Sequence, residues 1–152
     1  MKKQQSGFTL IELIMVIVVL GILAAFALPR FANLGQDARI ATLDGALGTS
    51  RSAAAIAHSV HLAKGTAVGA DVTLEGQPVK MANGYPTAAA DGIVVAAQLS
   101  AEFEATPVAS SSPAAILIQV KNAPTKAECS FVYTQADTGG APTIDTRDTD
   151  GC

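Results

Sequence analysis

The sequence is poor in the residues that catalytic and ligand-gripping domains rely on. It has no tryptophan, two tyrosines and five phenylalanines, and charged residues fill only 15% of its 152 positions. So few aromatic anchors leave little with which to line a deep ligand pocket. Ten Lys and Arg against 13 Asp and Glu give a formal charge of −3. That mild acidity argues against nucleic-acid partners, which need a basic face to neutralise phosphates. No Gly-x-Ser-x-Gly pattern, Walker loop, His-Glu-x-x-His pattern or clustered nucleophile and base occurs. We therefore expect no enzymatic activity, no catalytic residue, no cofactor and no metal.

Cysteine is scarce as well. Cys129 and Cys152 are the two present, in no Cys-x-x-Cys spacing and with no histidine near them in sequence. Zinc takes four ligands at tighter spacing. A single disulfide and an oxidising compartment are the better reading; two unrelated buried thiols are the alternative. The length allows one domain and not comfortably two. Ala, Gly, Ser and Thr are plentiful, which suits helices that pack closely.

What the sequence does have is one long apolar run. The first seven residues are polar and carry Lys2 and Lys3. Residues 8–28 follow, apolar except for Thr9 and Glu12. A helix of that length spans about 31 Å, close to the hydrocarbon thickness of a bilayer. The two lysines place the leading end in the cytoplasm and the remainder outside.

Three readings compete for this run. It is a plain membrane anchor, a secretory signal peptide with a cleavage site at Ala25-Phe26-Ala27, or a segment built for assembly. Glu12 decides for the third. A carboxylate in an apolar run costs about 2.5–3.5 kcal/mol at mid-membrane, less near the interface. Neither an anchor nor a signal peptide has a use for it. If the chain is cut between Gly7 and Phe8, the new amine lies one turn before Glu12. In a bundle of staggered identical helices, Glu12 of one copy then meets the Phe8 amine of its neighbour. In a low-dielectric core that pair fixes axial register. Gly21 and Pro29 weaken the helix, Pro29 by removing one hydrogen bond and clashing with the carbonyl of residue 25. A simple kink and a segment that stretches on assembly are both consistent with them.

The stretch Gly7-Phe8-Thr9-Leu10-Ile11-Glu12 resembles the prepilin cleavage and methylation motif of type IV pilins and type II secretion pseudopilins. The short lysine-containing leader, Gly21 and Pro29 match as well. The resemblance implies cleavage after Gly7 by a prepilin peptidase and N-methylation of Phe8. It also implies residence in the inner membrane before assembly, then extraction of residues 8–28 into a filament core by the pilus assembly machinery. It favours local unwinding between Gly21 and Pro29 in the filament.

The rest of the chain suits a pilin fold of the α+β class, a long N-terminal helix packed on a small antiparallel sheet. Residues 30–64 continue the helix, with Ile40, Leu43, Leu47, Ala54, Ala57 and His61 as a narrow stripe and Gly65 as cap. Asp37, Arg39, Asp44 and Arg51 decorate other faces. His58 and His61 share a face and read as a partly exposed pair rather than half a metal site. Residues 68–81 read as a short hairpin turning at 75–78, and 83–86 as a loop. Asp91 is placed as the cap of a second helix over 92–103. Strands are expected at 115–121, 129–135 and 141–147, three in all, with Ile116, Ile118 and Val120 on one face. A Cys129–Cys152 bridge would tie the final hairpin and tail to them. The tail from Asp145 to Gly151 resembles part of a calcium loop, but lacks a distal glutamate and reads better as a solvated acidic tail.

The organisation expected is thus a leader at 1–7, a membrane and assembly helix at 8–28, and a head at 29–152 that includes the amphipathic half of the helix. Residues 37–45, Gly84-Tyr85-Pro86 and the closing cysteine-containing hairpin resemble pilins of the mannose-sensitive haemagglutinin type. That likeness implies a homopolymeric surface pilus used in attachment. A type II secretion pseudopilin is the alternative within the family. A secreted soluble binding domain with a conventional signal peptide is the alternative outside it.

Overall fold

The computed structural model describes residues 8–65, 67–99, 101–145 and 147–152, without the side chains of residues 32 and 33. The chain divides into two compact units, Met1–Gln36 and Asp37–Cys152. Helix α1 runs over Leu10–Lys64. Its end has a local cause: Gly65 adopts φ +57° and accepts no further helical turn.

The second unit, the head, contains the C-terminal part of α1 and, among the described residues, eight short strands. Two small hairpins come first, β1 (Val72–Leu74) with β2 (Gln77–Val79) and β3 (Met81–Ala82) with β4 (Tyr85–Pro86). A four-stranded antiparallel sheet follows in the order β5 (Phe103–Pro107), β6 (Ala115–Val120), β7 (Ser130–Thr134), β8 (Thr143–Ile144). The expected class, a helix with a small antiparallel sheet, is what the chain forms.

The core follows the expected periodicities. On α1, Leu43, Ala54, Ala57 and His61 are buried, with Ile40 and Leu47 half-buried. On β6, Ile116, Ile118 and Val120 are buried while Leu117 and Gln119 are partly exposed. Register pairs Ile116 with Tyr133 and Ile118 with Phe131, so large side chains meet across β6 and β7. These residues share one cluster with Leu43, Ala46 and Ala54 of α1. The small residues on the helix let its backbone lie close to the sheet. A second cluster joins Ala57 of α1 to Val72, Val79 and Met81 of the hairpins.

Cys129 and Cys152 form a disulfide, with Cα atoms 4.8 Å apart and both residues buried. The bridge ends a tail whose backbone is paired rather than free. Ser130 and Asp148 exchange two backbone bonds, and the Gly151 amide donates to the Glu128 carbonyl at 2.9 Å. Arg39 Nε of α1 donates to the Cys152 carbonyl. Arg147 pairs with Asp44 of α1 at 2.8 Å. The expectation of a solvated tail therefore holds for its carboxylates only.

Five other expectations are corrected. Residues 92–103 are not one helix: a single π turn spans Ala90–Val94, Gly92 is non-helical at its centre, and Phe103 already begins β5. Asp91 does not cap it; Ala89 holds the cap position without a side-chain bond. The sheet has four strands rather than three, because β5 pairs along the open edge of β6, where its last residue, Pro107, is tolerated. Residues 83–86 are a tight hairpin rather than a loop, with Asn83 at φ +53° and Gly84 at φ +83°, the left-handed pair that such turns need. The expected strands at 129–135 and 141–147 shorten to β7 and β8.

Tyr133 is fully buried and donates its hydroxyl to the Pro86 carbonyl at 2.8 Å, linking β7 to β4. Burial, and then the neighbouring Tyr85, hold its phenol well above the ordinary value. The unfolded chain therefore ionises this phenol first. Its contribution to stability is full below the ordinary phenol pKa of about 10 and is lost as pH rises beyond that. Tyr133→Phe should flatten this alkaline loss in urea titrations between pH 8 and 11. At pH 7 it should cost about 1–3 kcal/mol, because the Pro86 carbonyl loses its donor. An alkaline loss unchanged by the substitution would contradict this reading. Reduction of the disulfide, or Cys152→Ser, should cost about 3 kcal/mol for a loop of this length. An unchanged urea midpoint would show the bridge to be energetically idle.

Candidate assembly site

The N-terminal unit carries an apolar helix whose side chains are exposed among the described residues. Its most apolar 18-residue window has a mean hydropathy of 2.9 and is 0% buried within the chain. From Leu10 to Phe31 the large hydrophobic side chains are exposed, Phe26 at 77%. By length and composition this part of α1 is able to cross a membrane. A soluble surface does not leave so much apolar area open, so the segment requires a lipid or protein environment.

Of the residues singled out in the sequence, Gly7 lies outside the described residues, as do Lys2 and Lys3. Phe8 is 95% exposed and lies two residues before the start of the helix. Gly21 and Pro29 lie inside α1, which stays helical through both. A side chain at Gly21 would meet nothing.

Glu12 does not stand alone. Its Oε2 accepts from the Thr9 amide at 2.8 Å and from the Thr9 hydroxyl at 2.7 Å. The Thr9 hydroxyl oxygen in turn faces the Glu12 amide at 3.3 Å. Thr9 also accepts the first helical bond, from the Leu13 amide. This is a capping box, Thr-x-x-Glu, in which the first and fourth residues satisfy each other's orphan backbone donors. The carboxylate is thus sited where the positive end of the helix dipole favours it. Its other oxygen, Oε1, has no partner among the described residues. A groove of about 380 Å³ beside it is lined by Phe8, Ile11, Met15 and Val16.

Thr9 is the residue that the charge-based reading of the sequence missed. The signal was present: a threonine three positions before a glutamate, at the start of an apolar run. The histidine pair is also different from expectation. His61 is buried, and His58 stacks on Tyr85 with ring centroids 4.0 Å apart while Nδ1 contacts the Gly84 carbonyl at 2.8 Å.

Comparison with known proteins places these features. The family described as the prokaryotic N-terminal methylation motif matches residues 2–28. The type IV narrow pilus major component PilA5 of Thermus thermophilus is 55% identical over 52 residues, 34% of this chain and 45% of that protein. The type IV major fimbrial protein FimA of Dichelobacter nodosus is 42% identical over 53 residues, 35% of this chain and 34% of that protein. The type II secretion system core protein G of Pseudomonas aeruginosa is 46% identical over 44 residues, 29% of this chain and 31% of that protein. The chain thus spans less than half the length of each of these relatives. None of the three is a mannose-sensitive haemagglutinin pilin, so that finer likeness gains no support. No solved structure matches the chain.

Removing the Thr9 hydroxyl should loosen the first helical turn while leaving Glu12 in place. For Thr9→Val in detergent micelles, amide exchange at residues 10–13 should speed up about fivefold, the equivalent of one lost cap. Unchanged exchange would mean that the box does not hold the helix start. The N-terminal segment of this chain thus carries the prokaryotic N-terminal methylation motif and is similar to the matching segments of type IV pilus subunits and of a type II secretion core protein.

Proposed function

We propose that the chain is a structural subunit of a type IV pilus. In this reading its work is assembly and not catalysis. The observation that carries the reading is the apolar, uncovered helix headed by a capped carboxylate. Before assembly, residues 8–28 lie in the inner membrane with the head outside. A prepilin peptidase cuts between Gly7 and Phe8 and methylates the Phe8 amine. The assembly machinery then moves the helix from lipid into the core of a surface filament used in attachment.

In that core the partner of Glu12 is the Phe8 amine of a neighbouring copy. The capping box uses only Oε2, so Oε1 is available to accept from that amine without unwinding the helix start. The pair is worth most where water is absent. Gly21 and Pro29 give the helix a stretch that yields as copies are packed. The disulfide and the paired tail stiffen the head.

A type II secretion pseudopilin is the second reading, supported by the likeness to core protein G. It shares the same N-terminal chemistry and differs in the filament formed.

Intact mass and N-terminal sequencing of the mature protein test the proposal. The expected product starts at a methylated Phe8 and is recovered from sheared surface filaments. A product starting near Leu28 would replace this reading with that of a secreted soluble domain. A Phe8 start without surface filaments would favour the pseudopilin.

A further inference from the structure

The head's part of α1 is seated by one face and leaves a cavity on each flank. One, of about 650 Å³, lies between Gly45, Gly48 and Ser52 of α1 and Leu74, Glu75 and Gln77 of the first hairpin. The other, of about 350 Å³, is lined by Arg51, Ala54, His58 and Ser59 of α1, with Tyr85 and Ile144. At 3.6 residues per turn the mean directions of the two sets of helix positions differ by about 100°, on either side of the buried stripe.

The flanks differ in charge. Arg51 is exposed and has no ion pair or hydrogen bond among the described residues, whereas Arg39 bonds the Cys152 carbonyl and Arg147 pairs with Asp44. No Asp or Glu lines the Arg51 cavity. Its walls are fixed, because His58 is stacked on Tyr85 and held by Gly84. The other cavity is edged by two carboxylates, Glu75 and Asp44, the latter on nearly the same helix face as Arg51. Asp44 is spent on Arg147. Glu75 is exposed, without a partner among the described residues, and stands at a hairpin tip where Glu75 and Gly76 have φ +48° and +78°. A tight turn of this kind presents its first residue outward on a stiff base.

The head as a whole is acidic. Setting aside Lys2, Lys3, Arg30 and Glu12 leaves seven basic and twelve acidic residues in 37–152. Heads packed side by side repel unless cations of one meet carboxylates of the next.

We propose that the two flanks are the two halves of one head-to-tail contact, in which the hairpin tip of one copy carries Glu75 into the cavity of the next and pairs it with Arg51. The contact joins two different surfaces of the same chain, so it does not close on itself as a two-fold dimer does; repeated with a rotation that does not close into a ring, it generates an open helical filament. Guanidinium and carboxylate match in shape and form paired hydrogen bonds. Gly45 and Gly48, which have open space above them, allow the neighbouring backbone to come close. This proposal rests on the filament reading above, because only a repeating assembly uses both flanks.

Charge exchange in the full-length protein tests it, read out as filament sheared from cells. Arg51→Glu and Glu75→Arg should each lower the yield about tenfold, and the double exchange should restore it to within about twofold. Both positions are on the surface, so the melting temperature of each variant should stay within a few degrees of the parent. Filaments carrying both Arg51→Cys and Glu75→Cys should, on oxidation, run as a ladder of covalent multimers, while either single variant should not. Full yield from the single reversals, a double variant as poor as the singles, or filaments without a ladder would each overturn the contact. Normal filaments from the parent chain together with any of these results would remove the contact alone. Absence of filaments from the parent chain would remove it along with the reading it rests on.

Discussion

Moving the Glu12 carboxylate into hydrocarbon is unfavourable by several kcal/mol unless something answers its charge. Residues 8–28 offer one polar neighbour, Thr9, and the structure uses it twice, through the amide and through the hydroxyl. That capping box makes the helix start tolerable in an isolated subunit. It does not neutralise the carboxylate, because neither Thr9 group carries a charge. The residual demand for a cation is what distinguishes this helix from an anchor. In the proposed filament a neighbouring amine meets that demand, and the apolar side chains around it exclude the water that would otherwise screen the pair.

The head is organised to leave α1 available. Its core holds the helix by a narrow stripe of small and medium side chains, Leu43, Ala46, Ala54 and Ala57, rather than by wrapping it. Both flanks of this part of the helix stay open. Such shallow seating buries modest apolar area, so the head draws on other restraints. The disulfide, the Arg39 bond to the Cys152 carbonyl and the Arg147–Asp44 pair fasten the chain's tail to the sheet and to the helix. The exposed ion pairs contribute little each. The covalent bridge does more, by limiting the unfolded chain.

Much of this was legible from residue order, and the exceptions have physical causes. The apolar run and its length declare a helix, which satisfies its backbone groups within a single segment. The buried stripe on α1 and the alternation in β6 follow the periods of helix and strand. The two cysteines paired as expected. Local sequence failed where tertiary context decides. Phe103 reads as the last residue of a helix, but it opens a strand because the edge of β6 is there to pair with. Asp91 looked like a cap, but Gly92 breaks the turn it would have capped. The order of residues at 83–86 reads as a loop, although Asn83-Gly84 is also a strong hairpin signal. Charge drew attention to Glu12, and the neutral Thr9 that holds it was passed over. The pairing of Arg39 with a carbonyl 113 residues away had no signal in the order of residues.

The central claim is that Glu12 serves assembly and not insertion. Filament yield and membrane pool, measured together for Glu12→Val, separate the two. The account predicts a membrane pool equal to or larger than that of the parent chain, with sheared filament reduced at least about tenfold by the loss of a buried charge pair. Normal filament in normal amount from Glu12→Val cells would contradict it.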